Sequence, residues 1–294
     1  MSAAAAAPRA RRASVPARAW EWLRRNAILI FAGLAVAYML IPIAVVALFS
    51  FDSGNTQGEL DFAWNSFTLD YWNDAFANED VTSSMRTSLE LAAVATIGAT
   101  AIGTLMALAL VRHQFRGRRA SNLLIILPMA TPEIVIGAAL LSMFVLPPFN
   151  GIFDLGFQTL LIAHVMFSIS FVVVVVRSRL IGFDRSLEEA AADLGATPLT
   201  VFRTVTLPLL APAIIAGGLL AFALSLDDFV ISNFNSGTTE TFPLYIFGAT
   251  QRGIPVQVNV LATMLFTATV FAIALVLWQQ RRAERMASVR PEEV

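Results

Sequence analysis

Three carboxylates occur where an ionisable group is out of place. Glu133 follows "PMATP", and Asp227 and Asp228 are adjacent in "LSLDDFVISNF", all within or beside long apolar runs. A charged side chain near the centre of a bilayer costs about 2.5 to 3.5 kcal/mol on insertion scales, so such acids face protein or a watery cavity. Counted along a straight helix from Ser121, Glu133 lies roughly 18 Å deep. A place on a transport path satisfies the energetic demand there, and so does a hydrogen bond to a neighbouring helix. Asp227 and Asp228 come about 24 Å from Ala211 on the same count, near the outer interface, where a hydrated helix end explains them without a ligand. Successive helical residues point about 100° apart, so both aspartates cannot face one path equally.

Other reactive groups are scarce. The chain has no cysteine and no lysine, and its only histidines are His113 and His164. Disulfides, thiolate metal sites and cysteine nucleophiles are excluded. Neither H-E-x-x-H nor G-x-S-x-G is present, which removes the reactive groups of intramembrane metalloproteases and ordinary serine hydrolases. A P-loop requires a lysine to reach the terminal phosphates, so this chain cannot build one. The expectation is a protein that is not an enzyme and holds no cofactor or metal; if ATP drives it, another subunit binds the nucleotide. His164, in "AHVMFSIS", is expected to hydrogen-bond a neighbouring helix, since a lone histidine without an acid beside it in sequence makes a poor proton relay.

The elements that must position these groups are membrane helices. Of the 294 residues 57% are hydrophobic and 14% charged, with mean hydropathy +0.69, too apolar for a soluble domain of this length. Apolar stretches of about 20 residues fall at 27–49, 88–111, 121–146, 158–176, 209–232 and 258–278, and six spans put both termini on one side. Pro128 and Pro132 should break or kink the third. The 20 basic residues are all arginine: six precede the first span, four lie in "RHQFRGRRA", four fall between Arg177 and Arg203, and four follow the last span. The positive-inside rule therefore sets both tails and these two loops in the cytosol. Ala99, Gly103, Gly217 and Gly218 suit close helix packing.

Residues 1–26 read as a disordered Ala/Arg-rich cytosolic tail rather than a signal peptide, because the apolar run that follows is too long and lacks a cleavage site. The rest divides into a first transmembrane helix at 27–49, an external loop at 50–87, a five-helix core at 88–280 and a cytosolic tail at 281–294. The external loop holds seven acids against Arg86, and with Asp154, Glu240 and Arg252 the outer loops carry nine acids and two arginines. That sign suits a cationic solute. Trp64, Phe67, Tyr71, Trp72 and Phe76 offer aromatic faces for ammonium groups, or anchor at the interface.

One polar segment stands apart, "LEEAAADLGATPLTVFRTVTLPLL" at 187–210, which begins in the loop at 184–208 and ends just beyond it. Ser186 and Glu189 have capping-box spacing, so a helix should start at Leu187. Gly195 can end it in the left-handed conformation. Leu187, Ala190, Ala191 and Leu194 form one apolar face of mostly small side chains, which lets another backbone come close. Thr197 then caps a second short helix with Pro198 in its first turn, and Pro208 should interrupt it. The product is a helical hook presented to the cytosol. An amphipathic helix lying on lipid headgroups would favour bulkier apolar residues with flanking arginines.

"EAA" at 189–191, Gly195, and "VTLP" ending at Pro208 follow the pattern EAA-x3-G-x9-I-x-L-P, with Val205 in place of isoleucine. This resembles the signature loop of bacterial ABC-importer permeases. "SRLIGFDRSLEEAAADLGA", "AFALSLDDFVISNF", "TFPLYIFGATQRG" and "NVLATMLF" are similar, more narrowly, to the second permease subunits of spermidine/putrescine importers. The resemblance implies an all-α membrane protein with the six-helix type I (MetI-like) permease fold in the bacterial cytoplasmic membrane. It implies two cytosolic ATP-binding subunits, a second permease of different sequence and an external solute-binding protein. The hook would couple to the ATPase through Glu189, Ala190, Ala191 and Gly195, with Leu187 and Leu194 on its apolar face. Glu133, Asp227 and Asp228 are the candidates for the path of a polyamine. The lipid bilayer is a further partner, and no nucleic acid is expected. The alternatives are a permease for another small solute, and a stand-alone channel or membrane-embedded enzyme.

Overall fold

The computed structural model describes residues 15–53 and 64–288. These are almost wholly helical; among them no strand forms, and a single bridge joins Asp52 to Phe67. They fall into two compact units, one built from residues 15–53, 64–75 and 256–288 and the other from 76–255.

In the first unit α1 (Val15–Phe49) packs along α12 (Val256–Ser288), and α2 (Asp70–Asn73) contacts α12. α1 begins inside the expected disordered tail. Alanine, arginine, leucine and glutamate dominate "VPARAWEWLRR", and all of these are good helix formers. Arg9, Arg11 and Arg12 lie outside the described residues. The start of the external loop folds on itself: Phe51 stacks between Phe67 and Trp72 at 5.7 and 5.1 Å, and Asp52 accepts the backbone N–H groups of Asn65 and Ser66 at 2.9 and 3.1 Å. Asp52 is thereby committed to the loop.

The second unit runs α3 (Glu79–Arg112), α4 (Arg118–Ala130), α5 (Glu133–Val145), α6 (Phe157–Ile181), α7 (Ser186–Asp193), α8 (Pro198–Val201), a π-helical turn (Phe202–Thr206), α9 (Leu207–Asp227), α10 (Val230–Asn235) and α11 (Phe242–Ala249). α3 starts nine residues before the expected span because the Asn78 side chain accepts the Val81 N–H at 3.1 Å and Glu79 and Asp80 favour the first turn. α3, α6 and α9 pack against one another around Ala99, Ala107, Val172, Val176, Leu210 and Ala221. At Gly103 a Cβ would meet the Val172 side chain at 2.8 Å, so only glycine allows that approach of α3 to α6.

Five helical segments are long and apolar enough to cross a membrane among the described residues: 24–49, 79–112, 157–181, 198–227 and 256–275. The third span is broken as expected, into α4 and α5 bent by 114°, with the break at Pro132; Pro128 lies inside α4 and does not interrupt it. Thr131 and Pro132 between them are extended, as the residue before a proline prefers. The expected fifth span differs, ending at Asp227 and not reaching residue 232. Asp228 is extended at ψ 120° and α10 begins separately.

Candidate functional site

The hook forms, with two local corrections. α7 starts at Ser186 without the capping box; the Asp184 carboxylate accepts the Ser186 N–H at 2.9 Å. That hydrogen bond holds the Asp184 carboxyl below its ordinary pKa. Gly195 has φ +85°, with Ala196 N–H bonded to Ala191 O at 3.1 Å and Gly195 N–H to Ala192 O at 2.9 Å. This is the Schellman arrangement, and it satisfies carbonyls the helix end would leave unpaired. Thr197 caps α8 by accepting the Thr200 N–H at 3.3 Å, with Pro198 in the first turn. Pro208 does not interrupt the chain. An α-helix there would drive its ring into the carbonyl of residue 204; the backbone widens into the π turn, with Leu207 N–H bonded to Phe202 O.

Leu187, Glu189, Ala190, Leu194 and Gly195 are exposed and Ala191 is half-buried. Leu187 and Leu194 expose 50% and 89% of their surface, so the hook presents an uncovered apolar face. The opposite side is fastened by a residue that motif reading passed over. Glu188 accepts Arg112 Nη2 at 2.6 Å and the hydroxyl of Thr206. Burial pushes its carboxyl up, but the hydrogen bonds from Arg112 and Thr206, with the charges of Arg112 and Arg185, outweigh burial and leave it below the ordinary range. Arg112 ends α3, where its charge also suits the helix terminus. Nothing in spacing signals this contact, since the partners are 76 residues apart.

The three acids meet at the two breaks. Glu133 opens α5 and Asp227 closes α9, and both are exposed. Asp228 is different: its side chain is only 5% exposed. Its oxygens accept the N–H groups of Ile231 at 3.3 Å and Ser232 at 2.7 Å, and lie 3.4 Å from His164 Nε2. His164 is itself buried, between the hydroxyls of Ser225 at 2.7 Å and Ser232 at 3.0 Å. The neighbouring helices thus supply the partners expected for it, together with an acid that sequence adjacency did not show. α5 packs on α10, where Asn235 reaches Gly137 O at 3.3 Å. That packing brings Glu133 into electrostatic range of both aspartates. The two aspartates face differently because α9 ends between them: the extended Asp228 turns its carboxylate onto the first turn of α10. Among the described residues no cluster of His, Asp or Glu has the geometry to hold a metal ion.

Long apolar helices, a sharply bent pair and a polar hook define a multi-pass membrane protein. Residues 99–286 match the family of binding-protein-dependent transport system inner membrane components, and the chain belongs to that family. It is a transport component of the bacterial inner membrane, not an enzyme. Its relatives include the spermidine/putrescine transport system permease protein PotC of Haemophilus influenzae, 38% identical over 87% of this chain and 95% of that protein. The putrescine transport system permease protein PotI of Escherichia coli is 37% identical over 86% and 90%. Among solved structures, a bacterial ABC transporter that imports the acidic polysaccharide alginate superimposes with TM-score 0.62 at 19% identity, covering 91% of this chain and 98% of that one. The MetNI methionine transporter superimposes with TM-score 0.53 at 15% identity, over 69% and 95%. At such identities the likeness is one of fold.

Proposed function

We propose that the chain is a permease subunit of an ATP-driven importer that moves a polyamine of the spermidine/putrescine class across the cytoplasmic membrane by alternating access. The observation that carries the substrate class is its identity to polyamine permeases along nearly the whole chain. The exposed carboxylates of Glu133 and Asp227 support it, being the groups a polycation would meet. Asp228 sits behind them as a support, fixed by His164 and the first turn of α10.

The same proposal gives the hook its work. Residues 184–208 face the cytosol with both termini, and the face of Leu187, Glu189, Ala190, Ala191, Leu194 and Gly195 docks on a separate ATP-binding subunit. Two such subunits, a second permease of different sequence and an external solute-binding protein complete the importer; ATP is bound by the partners and this chain holds no cofactor. The uncovered apolar face of α7 supports docking, because a purely lipid-lying helix needs no left-handed corner to aim it.

The test is uptake by the complete importer in proteoliposomes. Spermidine and putrescine are expected to be taken up in an ATP-dependent way and to stimulate hydrolysis. Uptake of another solute, with neither polyamine competing, would overturn the substrate class. Activity of the purified chain without an ATPase would favour a channel instead.

A further inference from the structure

We propose that Arg112 and Glu188 form a strut that carries movement of the hook into the membrane helices, with Thr206 as its third point. This deepens the coupling reading above and rests on it. One carboxylate oxygen, Glu188 Oε1, receives both Arg112 Nη2 at 2.6 Å and the Thr206 hydroxyl. Those two donors stand at the end of α3 and at the last residue of the π turn that opens α9. A single atom of the hook therefore grips the two long helices that pack on each other and on α6.

The surroundings favour a strut over a packing contact. Small side chains, Ala192 and Ala196, lie on this side of the hook beside a cavity of about 270 Å³ that Arg112, Glu188 and Thr206 also line. Pro198, Val201 and Phe202 line the same cavity, and the hook already runs into α9 as one helical segment; what the polar contacts add is a tie from α7 to the end of α3. Those contacts are charge-assisted and mostly withdrawn from water: Glu188 is 12% exposed, Arg112 is 21% exposed and Thr206 is 1% exposed. If the hook moved while α3 stayed, a nearly buried carboxylate would lose its partner, which is strongly unfavourable. Moving together avoids that loss. The Phe183 ring, 5.7 Å from the Arg112 guanidinium, steadies the cation from the α6 side. Arg112 and Glu188 are positioning residues here, since neither lies on the exposed docking face.

The experiment uses the intact importer purified with its own subunits, and reads ATPase retention, hydrolysis stimulated by the loaded binding protein, and solute taken up per ATP. Arg112→Glu is expected to keep the ATPase bound but to lower uptake per ATP by about tenfold, a size typical of coupled neighbours. The swap Arg112→Glu with Glu188→Arg restores most of that loss, and Glu188→Gln, which keeps an oxygen acceptor without the charge, gives an intermediate defect. Membrane yield of each variant is measured alongside. Wild-type uptake per ATP in Arg112→Glu overturns the strut, and so does a defect that the swap leaves unrelieved. A Glu189→Arg complex, altered on the exposed docking face, that still holds its ATPase and transports normally overturns the coupling reading itself, so the two failures are told apart.

Discussion

Glu188 and Asp228 are both acids drawn away from solvent, with side chains 12% and 5% exposed, yet they are satisfied by opposite means. Glu188 takes side-chain donors from far along the chain, Arg112 and Thr206. Asp228 takes backbone N–H groups three and four residues ahead, and then His164. The first pattern ties separate elements to one another. The second breaks a helix at a chosen residue and holds the break, leaving Asp227 free on the exposed side. An acid bound to distant partners is suited to transmit a displacement; an acid bound to its own following turn is suited to stay still.

The largest effect is expected where the still acid is removed. Asp228→Leu leaves the N–H groups of Ile231 and Ser232 at the start of α10 without their acceptor, and a buried donor left unsatisfied costs about 1 to 3 kcal/mol. Thermal unfolding of the detergent-purified importer should show a clear fall in midpoint; an unchanged midpoint would mean the break does not depend on Asp228. Next comes its exposed neighbour. Asp227→Asn is expected to leave the melting midpoint alone while lowering polyamine uptake about tenfold, equivalent to about 1.4 kcal/mol, and normal uptake would return Asp227 to a hydrated helix end.

On the hook, Gly195→Val meets a penalty of about 1 to 2 kcal/mol for a left-handed residue with a Cβ. Transport should drop with insertion preserved, as read by uptake against membrane yield. Glu189→Arg is smaller in intrinsic cost, about 0.3 to 1 kcal/mol from the helix terminus, but it alters the exposed face. ATPase recovered by co-purification should fall whichever solute is supplied. The smallest effect concerns pH. Because the Glu188 carboxyl is held below its ordinary value of 4.5, its contribution is present above that value and lost as pH falls through the lower folded one. Protease access to residues 184–208 should therefore stay constant from neutral pH down to the ordinary carboxylate range and rise only on further acidification. A rise between pH 7 and 6 would contradict the contact.

How much of this was legible in the sequence follows from the range of the forces involved. The break at Thr131 and Pro132 was readable because proline acts through its own ring and the residue before it. So were the left-handed corner at Gly195 and the cap at Thr197. The break at Asp228 was half readable: a helix end at the two aspartates was one of the readings, and an aspartate can bond N–H groups three and four residues on, but hydrophobicity carried the expected span on to residue 232. The capping box at Ser186 and Glu189 was a false sign, because Asp184 reaches the Ser186 N–H first. Arg112 with Glu188, and His164 with Asp228, are contacts of tertiary packing, and no spacing rule reaches across 76 or 64 residues. The substrate class came from resemblance, since nine outer acids agree with any cation.

The π turn at 202–206 has a consequence for orientation. A regular α-helix advances about 100° per residue, with 3.6 residues per turn; a turn closed by i to i+5 bonds holds one residue more. The segment from Pro198 to Asp227 is thus a shaft whose two ends are set out of phase by that one residue. Wound as a regular α-helix throughout, the same residues would turn one end relative to the other by about 100° and lengthen the shaft by about 1.5 Å. With Asp227 kept on its face, Thr206 would then swing away from Glu188; with Thr206 kept, the exposed aspartate would turn toward the packed side. The irregular turn is the gearing that lets both ends point correctly at once.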